Sequence, residues 1–252
     1  MLELGTFSDQ LAKSGWFGTM FSHHTKYTAK DDILATVRKH ARPVSAGTEL
    51  MFEGDRVHSV TWVLRGWVGL SKILDDGRRQ IIDLVVPVDL VVATAANGAS
   101  SPYGVTALTD GVTASYSMAR LARQRLEFEP LGRIIDLLSA AANARQAERM
   151  LRLGQGTACE RVAHTLLEIL LRLEASGEST GGTFRLPITQ REFGDLTGLT
   201  SVHVCRTLRR LMRDGLIDYL GQEITIRDVA GLARTGRLDL DTFRDEIIPS
   251  AV

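Results

Sequence analysis

The stretch LTGLTSVHVCRTLRRLMRDG, residues 196–215, sets a glycine turn ahead of a run of helix formers and carries four arginines in twenty positions. Helical spacing puts Val204, Leu208, Leu211 and Met212 at i, i+4, i+7 and i+8, a stripe to be buried. The other side then presents Ser201, Val202, Cys205, Arg206 and Arg209. Just upstream, Thr189 followed by Glu192 is a capping box with Ile188 and Phe193 as its hydrophobic staple, so a helix is expected from Gln190. It stops at Gly198, and Thr200 is placed to cap the next helix. Helix, short glycine turn, helix is the spacing of a helix-turn-helix. Downstream, LIDYLGQEITI (216–226) reads as two strands around Gly221-Gln222, the wing of a winged helix.

Between Thr189 and Arg213 five arginines (191, 206, 209, 210, 213) stand against Glu192 and Asp195, a local charge of +3. The chain as a whole is neutral, with 30 Lys+Arg and 30 Asp+Glu. That balance excludes a global basic field drawing the protein onto nucleic acid or membrane. A narrow, rigid positive ridge suits the major groove, where arginine reaches guanine O6 and N7 or phosphate oxygens. The plainer reading is a solvated charged helix face. Capping box, glycine turn, buried valine and wing agree with one another on DNA-binding geometry, and that agreement favours the groove.

Working outward, the chain reads as α+β. Its 252 residues, 44% hydrophobic, suffice for one large domain or two modest ones. Residues 42 to 118 carry short β-branched and aromatic runs punctuated by Gly47, Gly54, Gly66, Asp76-Gly77 and Gly111, which favours a barrel, sandwich or roll. Asp76-Gly77 is a hairpin signal. Phe21 to His40 looks like a helical lead-in. At Pro130 the period changes from two to 3.6. Leu131, Ile135, Leu138 and Ala142 mark one apolar face of the resulting helix, and Ile134, Leu137, Ala141 and Ala144 another. A helix apolar on two faces is expected to bury against its own β domain and a second copy of itself, with burial inside one subunit as the alternative. Gly154-Gln155-Gly156 breaks it as a turn or hinge, because Cys159 stands where a phosphate loop needs glycine. A third helix carries Val162, Leu166, Leu167, Leu170 and Leu173; GESTGGT (177–183) is a polar loop. Val229, Leu232, Leu238 and Phe243 suggest one or two short helices after the wing.

No export signal is read at the start, and no uncharged apolar run approaches the ~18 residues a membrane span needs. Cys159 and Cys205 are too few for a disulfide framework or an iron–sulfur cysteine set. The expected compartment is the cytoplasm, with no membrane partner. No nucleophile elbow, P-loop or HExxH is present, so an enzyme is not expected. No metal site is expected.

With EGD (53–55), VLRGWV (63–68), DDGRRQII (75–82), ERVAHTLLEILLRL (160–173) and LPITQREFGDLTGLTSVHVCRTLRRLMRDGLI (186–217), the chain resembles the Crp/Fnr family of bacterial transcription regulators over about residues 20 to 228. The resemblance implies a cyclic-nucleotide-binding-like β-roll over 20–130, a long dimerisation helix over 131–153, a winged helix-turn-helix over 154–228 and an extension over 229–252. It implies a homodimer joined along the long helix through Ile134, Leu137, Leu138, Ala141 and Ala144. Two recognition helices would then enter successive major grooves of palindromic double-stranded DNA, ~34 Å apart. RNA polymerase is an implied partner. By position, Ser201, Val202, Cys205 and Arg206 take the family's base-reading places, Arg206 matching the arginine that reads guanine. Val202 departs from the pattern: the best-known members carry a glutamate there, whereas valine suits a thymine methyl. Thr189, Gln190, Thr200, His203 and Arg209 are expected at phosphates.

The effector is unknown. Cyclic-nucleotide-binding members hold ribose and phosphate through a glutamate and an arginine in the loop after the strand ending near Asp89. Here residues 80–119 contain no Lys, Arg or His, and their only acids are Asp83, Asp89 and Asp110. No bidentate guanidinium for phosphate can come from this segment, which argues against cyclic AMP. Asn97, Ser100, Ser101 and Tyr103 are candidates for a polar pocket, and His23, His24, His40, His58 and His164 for an axial haem ligand. Cys205, beside Arg206 near a helix N-terminus, is a candidate redox switch. One alternative function is thus redox-responsive regulation through Cys205. Another is a winged helix that binds protein rather than DNA, distinguishable by salt dependence.

Overall fold

The computed structural model describes residues 35–87, 89–91, 99–127 and 129–249. Of the lead-in expected over Phe21 to His40, residues 35–40 fall within that range, as helix α1; His23, His24 and Asn97 lie outside the described residues. Eight strands follow: β1 (Ala41–Val44), β2 (Glu49–Met51), β3 (Ser59–Arg65), β4 (Val68–Ile73), β5 (Arg79–Val85), β6 (Leu90–Val91), β7 (Gly104–Ala107) and β8 (Gly111–Ser117). They make two four-stranded antiparallel sheets, ordered β1-β8-β3-β6 and β2-β7-β4-β5.

The almost continuously buried SVTWVLR of β3 shows how the roll is filled. Val63 packs with Val68, Leu70, Val85, Val91 and Val105 from both sheets. Its alternating neighbours Val60, Trp62 and Leu64 turn to the opposite face and pack under Leu131, Ile134, Ile135 and Leu138. A strand covered on both faces needs no polar alternation. Trp62 Nε1 donates to Tyr116 Oη at 3.0 Å, so the indole is buried without an orphaned donor. Between β3 and β4 the chain turns at Gly66 (φ +84°), where a Cβ would stand 2.7 Å from the Asp110 carbonyl oxygen. The β4–β5 turn at Asp76-Gly77 forms as expected, with Leu74 N–H donating to the Arg78 carbonyl at 2.9 Å.

Helix α2 (Met118–Glu127) was not legible, because Leu121 is its one buried residue and it shows little apolar period. Helix α3 (Glu129–Gln155) runs 27 residues, about 40 Å. Its burial changes the reading of the long helix. Ile134, Leu138 and Ala141 are buried within the subunit, and Leu137 packs on the same roll cluster. Ala144 packs with Leu171, Phe243 and Ile247. Of the five residues expected at a dimer seam, Ile134, Leu138 and Ala141 are thus buried by the chain itself, and Leu137 and Ala144 are half-buried against the roll and the C-terminal extension. An apolar stripe in the sequence reports that something covers it, not which chain does.

The C-terminal half is built around α4 (Ala158–Ala175), opened by a Thr157/Glu160 capping box and buried continuously from Val162 to Leu173. Around it stand β9 (Thr183–Arg185), α5 (Gln190–Thr197), α6 (Ser201–Arg213), β10 (Ile217–Leu220), β11 (Glu223–Ile226), α7 (Val229–Gly236) and α8 (Leu240–Ile247). The wing has three strands, ordered β10-β11-β9. Only its hairpin was readable, since β9 is three residues long and sits after a polar loop.

Candidate nucleic-acid interface

The helix-turn-helix is fixed by its caps. Thr189 N–H donates to Glu192 Oε2 at 2.7 Å and Thr189 Oγ1 accepts from Glu192 N–H at 3.2 Å, which opens α5 at Gln190. Gly198 ends α5 at φ +65°, a conformation that costs a side-chain-bearing residue, and a Cβ there would meet Leu153 Cδ2 at 2.7 Å. Thr200 Oγ1 accepts from His203 N–H at 3.3 Å and opens α6. Val204, Thr207, Leu208 and Leu211 bury one side of α6, with Met212 packed alongside.

The exposed side carries Ser201, Val202, His203, Arg206, Arg209, Arg210 and Arg213. Val202, Arg206, Arg209 and Arg213 fall at i, i+4, i+7 and i+11 and run down its centre. Ser201 and half-buried Cys205 flank them on one edge, His203 and Arg210 on the other. Arg210 lies 3.7 Å from Asp214, both exposed. Arg206, Arg209 and Arg213 have no carboxylate partner among the described residues, so their charge is available to an anion. Val202, 61% exposed, is an apolar side chain held in water at the head of this ridge.

The residues expected at phosphates divide. His203 and Arg209 are exposed, with no ion-pair partner among the described residues; Gln190 is half-buried in the first turn of α5. The Thr189 hydroxyl donates back to Glu192 Oε2 at 2.8 Å, so its capacity is absorbed by the capping box. The Thr200 hydroxyl accepts from the backbone and keeps its own proton to donate.

In the roll, a cavity of about 140 Å³ opens between the sheets and α3, with Asp83, Asp89, Tyr103, Ser139, Asn143 and Arg145 in its wall. Its guanidinium comes from the long helix rather than from residues 80–119, and it is already paired, Arg145 Nη2 to Asp83 Oδ2 at 2.9 Å. Of the candidate pocket residues, Tyr103 lines this cavity, its phenol pushed up by burial and by Asp83. Ser101 is turned away, its hydroxyl donating to the Tyr103 carbonyl at 2.6 Å. Ser100 forms an isolated bridge with Arg56.

The described histidines do not converge. His40 lies against Tyr116, His58 is exposed, and His164 is buried against Phe243 with ring centres 4.8 Å apart. His164 Nε2 has no hydrogen-bond partner among the described residues, Glu148 Oε2 standing 3.8 Å away, and burial pushes its imidazole down to about 4. Among the described residues no three His, Cys, Asp or Glu side chains are grouped to hold a metal ion.

Comparison with known proteins matches residues 41–125 to the cyclic nucleotide-binding domain and residues 160–235 to the Crp-like helix-turn-helix domain. The chain is 33% identical over 216 residues to the transcriptional activator protein FnrL of Cereibacter sphaeroides, covering 82% of this chain and 86% of that one. It is 30% identical to the transcriptional activator protein anr of Pseudomonas aeruginosa, covering 78% and 80%. The structure of FixK2 from Bradyrhizobium japonicum superposes with a TM-score of 0.70 at 28% identity, covering 77% of this chain and 96% of that one.

Proposed function

Since the chain belongs to the Crp/Fnr family of transcription regulators and carries its DNA-binding helix-turn-helix, we propose that two copies bind a palindromic site, each reading a half-site with the ridge of α6. The family is one of regulators, not enzymes. The observation that carries the proposal is the unpaired arginine ridge, solvent-facing on a helix whose opposite side is core. In the base-reading places Arg206 takes a guanine and Val202 a thymine methyl, with Ser201 and Cys205 beside them. Arg209, His203 and Thr200 position the helix on phosphates.

For the dimer seam we propose the face of α3 that the chain leaves exposed. Asp136, Ala140, Asn143, Ala147, Met150 and Gly154 are exposed and alternate four and three apart, the period of a two-helix seam. Met150 is 72% exposed and the adjacent Leu151 48%. Small Ala140 and Ala147 permit close approach, and Asn143 fixes register. Contact with RNA polymerase belongs to the same proposal, by analogy with relatives named transcriptional activators. No described helix is long and apolar enough to cross a membrane.

Selection of bound duplexes from a random pool tests the reading. A two-fold symmetric consensus is expected; recovery of no sequence, or of an asymmetric one, would defeat it. Repeating the selection with peroxide, on wild type and Cys205→Ser, decides redox control. A response lost in the variant supports it, and equal binding throughout excludes it.

A further inference from the structure

Where α3, α4 and β5 meet, six charged side chains form a buried cluster with Asp89 at its rim, in which Arg149 Nε has no hydrogen-bond partner among the described residues. Asp83 of β5 pairs with Arg145 of α3 at 2.9 Å and with Arg149 of α3 at 3.3 Å. Arg149 grips Glu168 of α4 through both oxygens, at 2.8 and 2.6 Å, and also donates to the Ile82 carbonyl. Arg172 of α4 bonds Glu168 at 3.1 Å, donates to the Leu84 carbonyl at 2.6 Å and pairs with Asp89. Apart from Asp89, none of these side chains is more than 6% exposed. Three cations and three anions cancel. Burial alone would raise the carboxyls of Asp83 and Glu168, but the surrounding guanidiniums hold both below the usual range.

The cluster spans a hinge. Between α3 and α4 the chain has only Gly156 and Thr157. About that joint α4, and with it the helix-turn-helix packed on α4, would otherwise swing against α3. Apolar surfaces can slide past one another, whereas bidentate buried ion pairs hold one register, because any displacement leaves an uncompensated charge out of water. Two outer contacts reinforce it. Arg79 of the β4–β5 hairpin pairs with Asp195 of α5 at 2.8 Å, and α8 packs Phe243 and Ile247 on Leu171 of α4 beside Ala144 of α3.

We propose that the Asp83–Arg145–Arg149–Glu168–Arg172–Asp89 cluster is a spacing determinant: it locks each recognition helix to the dimer helix and so fixes the separation of half-sites that the protein accepts. This rests on the symmetric binding proposed above. One extra base pair shifts a half-site by about 3.4 Å and rotates it by about 35°, which a locked pair of heads cannot follow and a hinged pair can. Glu168 and Arg172 are positioning residues; neither touches DNA.

The probes are the palindrome recovered by selection and its derivatives with one or two central base pairs inserted or removed, measured by fluorescence anisotropy. Wild type is expected to lose tenfold or more in affinity for each base pair of altered spacing. Glu168→Gln is expected to lose less than threefold, with affinity for an isolated half-site unchanged. Leu131→Ala, a destabilising change in the roll core, is expected to keep the wild-type penalty, which separates positioning from general loss of stability. Should Glu168→Gln fail to fold, the measurement passes to Arg149→Met with Glu168→Leu, which refills the pair with apolar volume, and to Asp89→Asn at the rim. A wild type that tolerates every spacer, or folded variants that retain its penalty, overturns the proposal. A wild type that does not prefer two half-sites to one overturns the symmetric reading beneath it instead.

Discussion

Arg206 and Arg149 are the same residue type with opposite fates. Arg206 stands at the centre of an exposed ridge with no carboxylate partner among the described residues, while Arg149 is buried between two carboxylates. Arg206→Ala is therefore expected to leave the fold intact, weaken specific DNA binding by ~1–3 kcal/mol and relax preference at one base pair of each half-site. Anisotropy against a set of singly substituted duplexes checks it, and unchanged selectivity would remove the residue from its role. His164 supports a prediction about stability. Its imidazole is pushed from 6.5 down to about 4 by burial. Between those values the unfolded chain binds a proton that the folded chain rejects. The contribution is thus complete above 6.5 and is lost as pH falls towards 4, by about 3 kcal/mol. Urea unfolding followed across that window should show the slope in wild type and not in His164→Gln; equal slopes would assign it elsewhere. Both ridge and capping box were legible because their signals are local. His164 stood in the sequence only as one histidine among several, since its burial depends on Phe243, far along the chain.

Among the elements, α3 shows most clearly where periodicity stops informing. Its apolar faces were visible, but the roll and α8 cover Ile134, Leu137, Leu138, Ala141 and Ala144, and the face left for a partner is the less apolar one through Ala140, Asn143, Ala147 and Met150. Met150→Glu is accordingly expected to shift sedimentation equilibrium towards monomer and to lower palindrome affinity at least tenfold while the thermal transition persists, because like charges would face each other across the seam. Ile134→Glu is expected to lose the transition itself, burying a charge in the subunit's own core. If Met150→Glu stays dimeric, the seam lies elsewhere. The helices α4, α5 and α6 were readable from caps and stripes. Helix α2 and strand β9 were not, being short elements held by contacts rather than by pattern.

For the whole molecule, the roll, long helix and winged helix stand in the order that the motifs implied, and the comparisons place the chain in one family. The roll matches the cyclic nucleotide-binding domain, but the cation at its cavity, Arg145, is already engaged by Asp83. Calorimetric titration with cyclic AMP is expected to show no micromolar binding, since a phosphate would have to displace a buried carboxylate; a micromolar isotherm would contradict this. By itself, the sequence determined what spacing along one element carries: a strand-rich roll, the apolar stripes of α3, α4 and α6, the caps of α5 and α6, the arginine ridge and the wing hairpin. Only the tertiary structure decided that both apolar faces of α3 pack against the chain itself, that His164 is buried, and that Asp83, Arg149 and Glu168 meet. The physical reason is range. Helix and strand periods act over a few residues and leave a trace in every turn, whereas the cluster joins residues up to 89 positions apart, and nothing in a charged residue's local pattern says whether its partner will be water or another side chain.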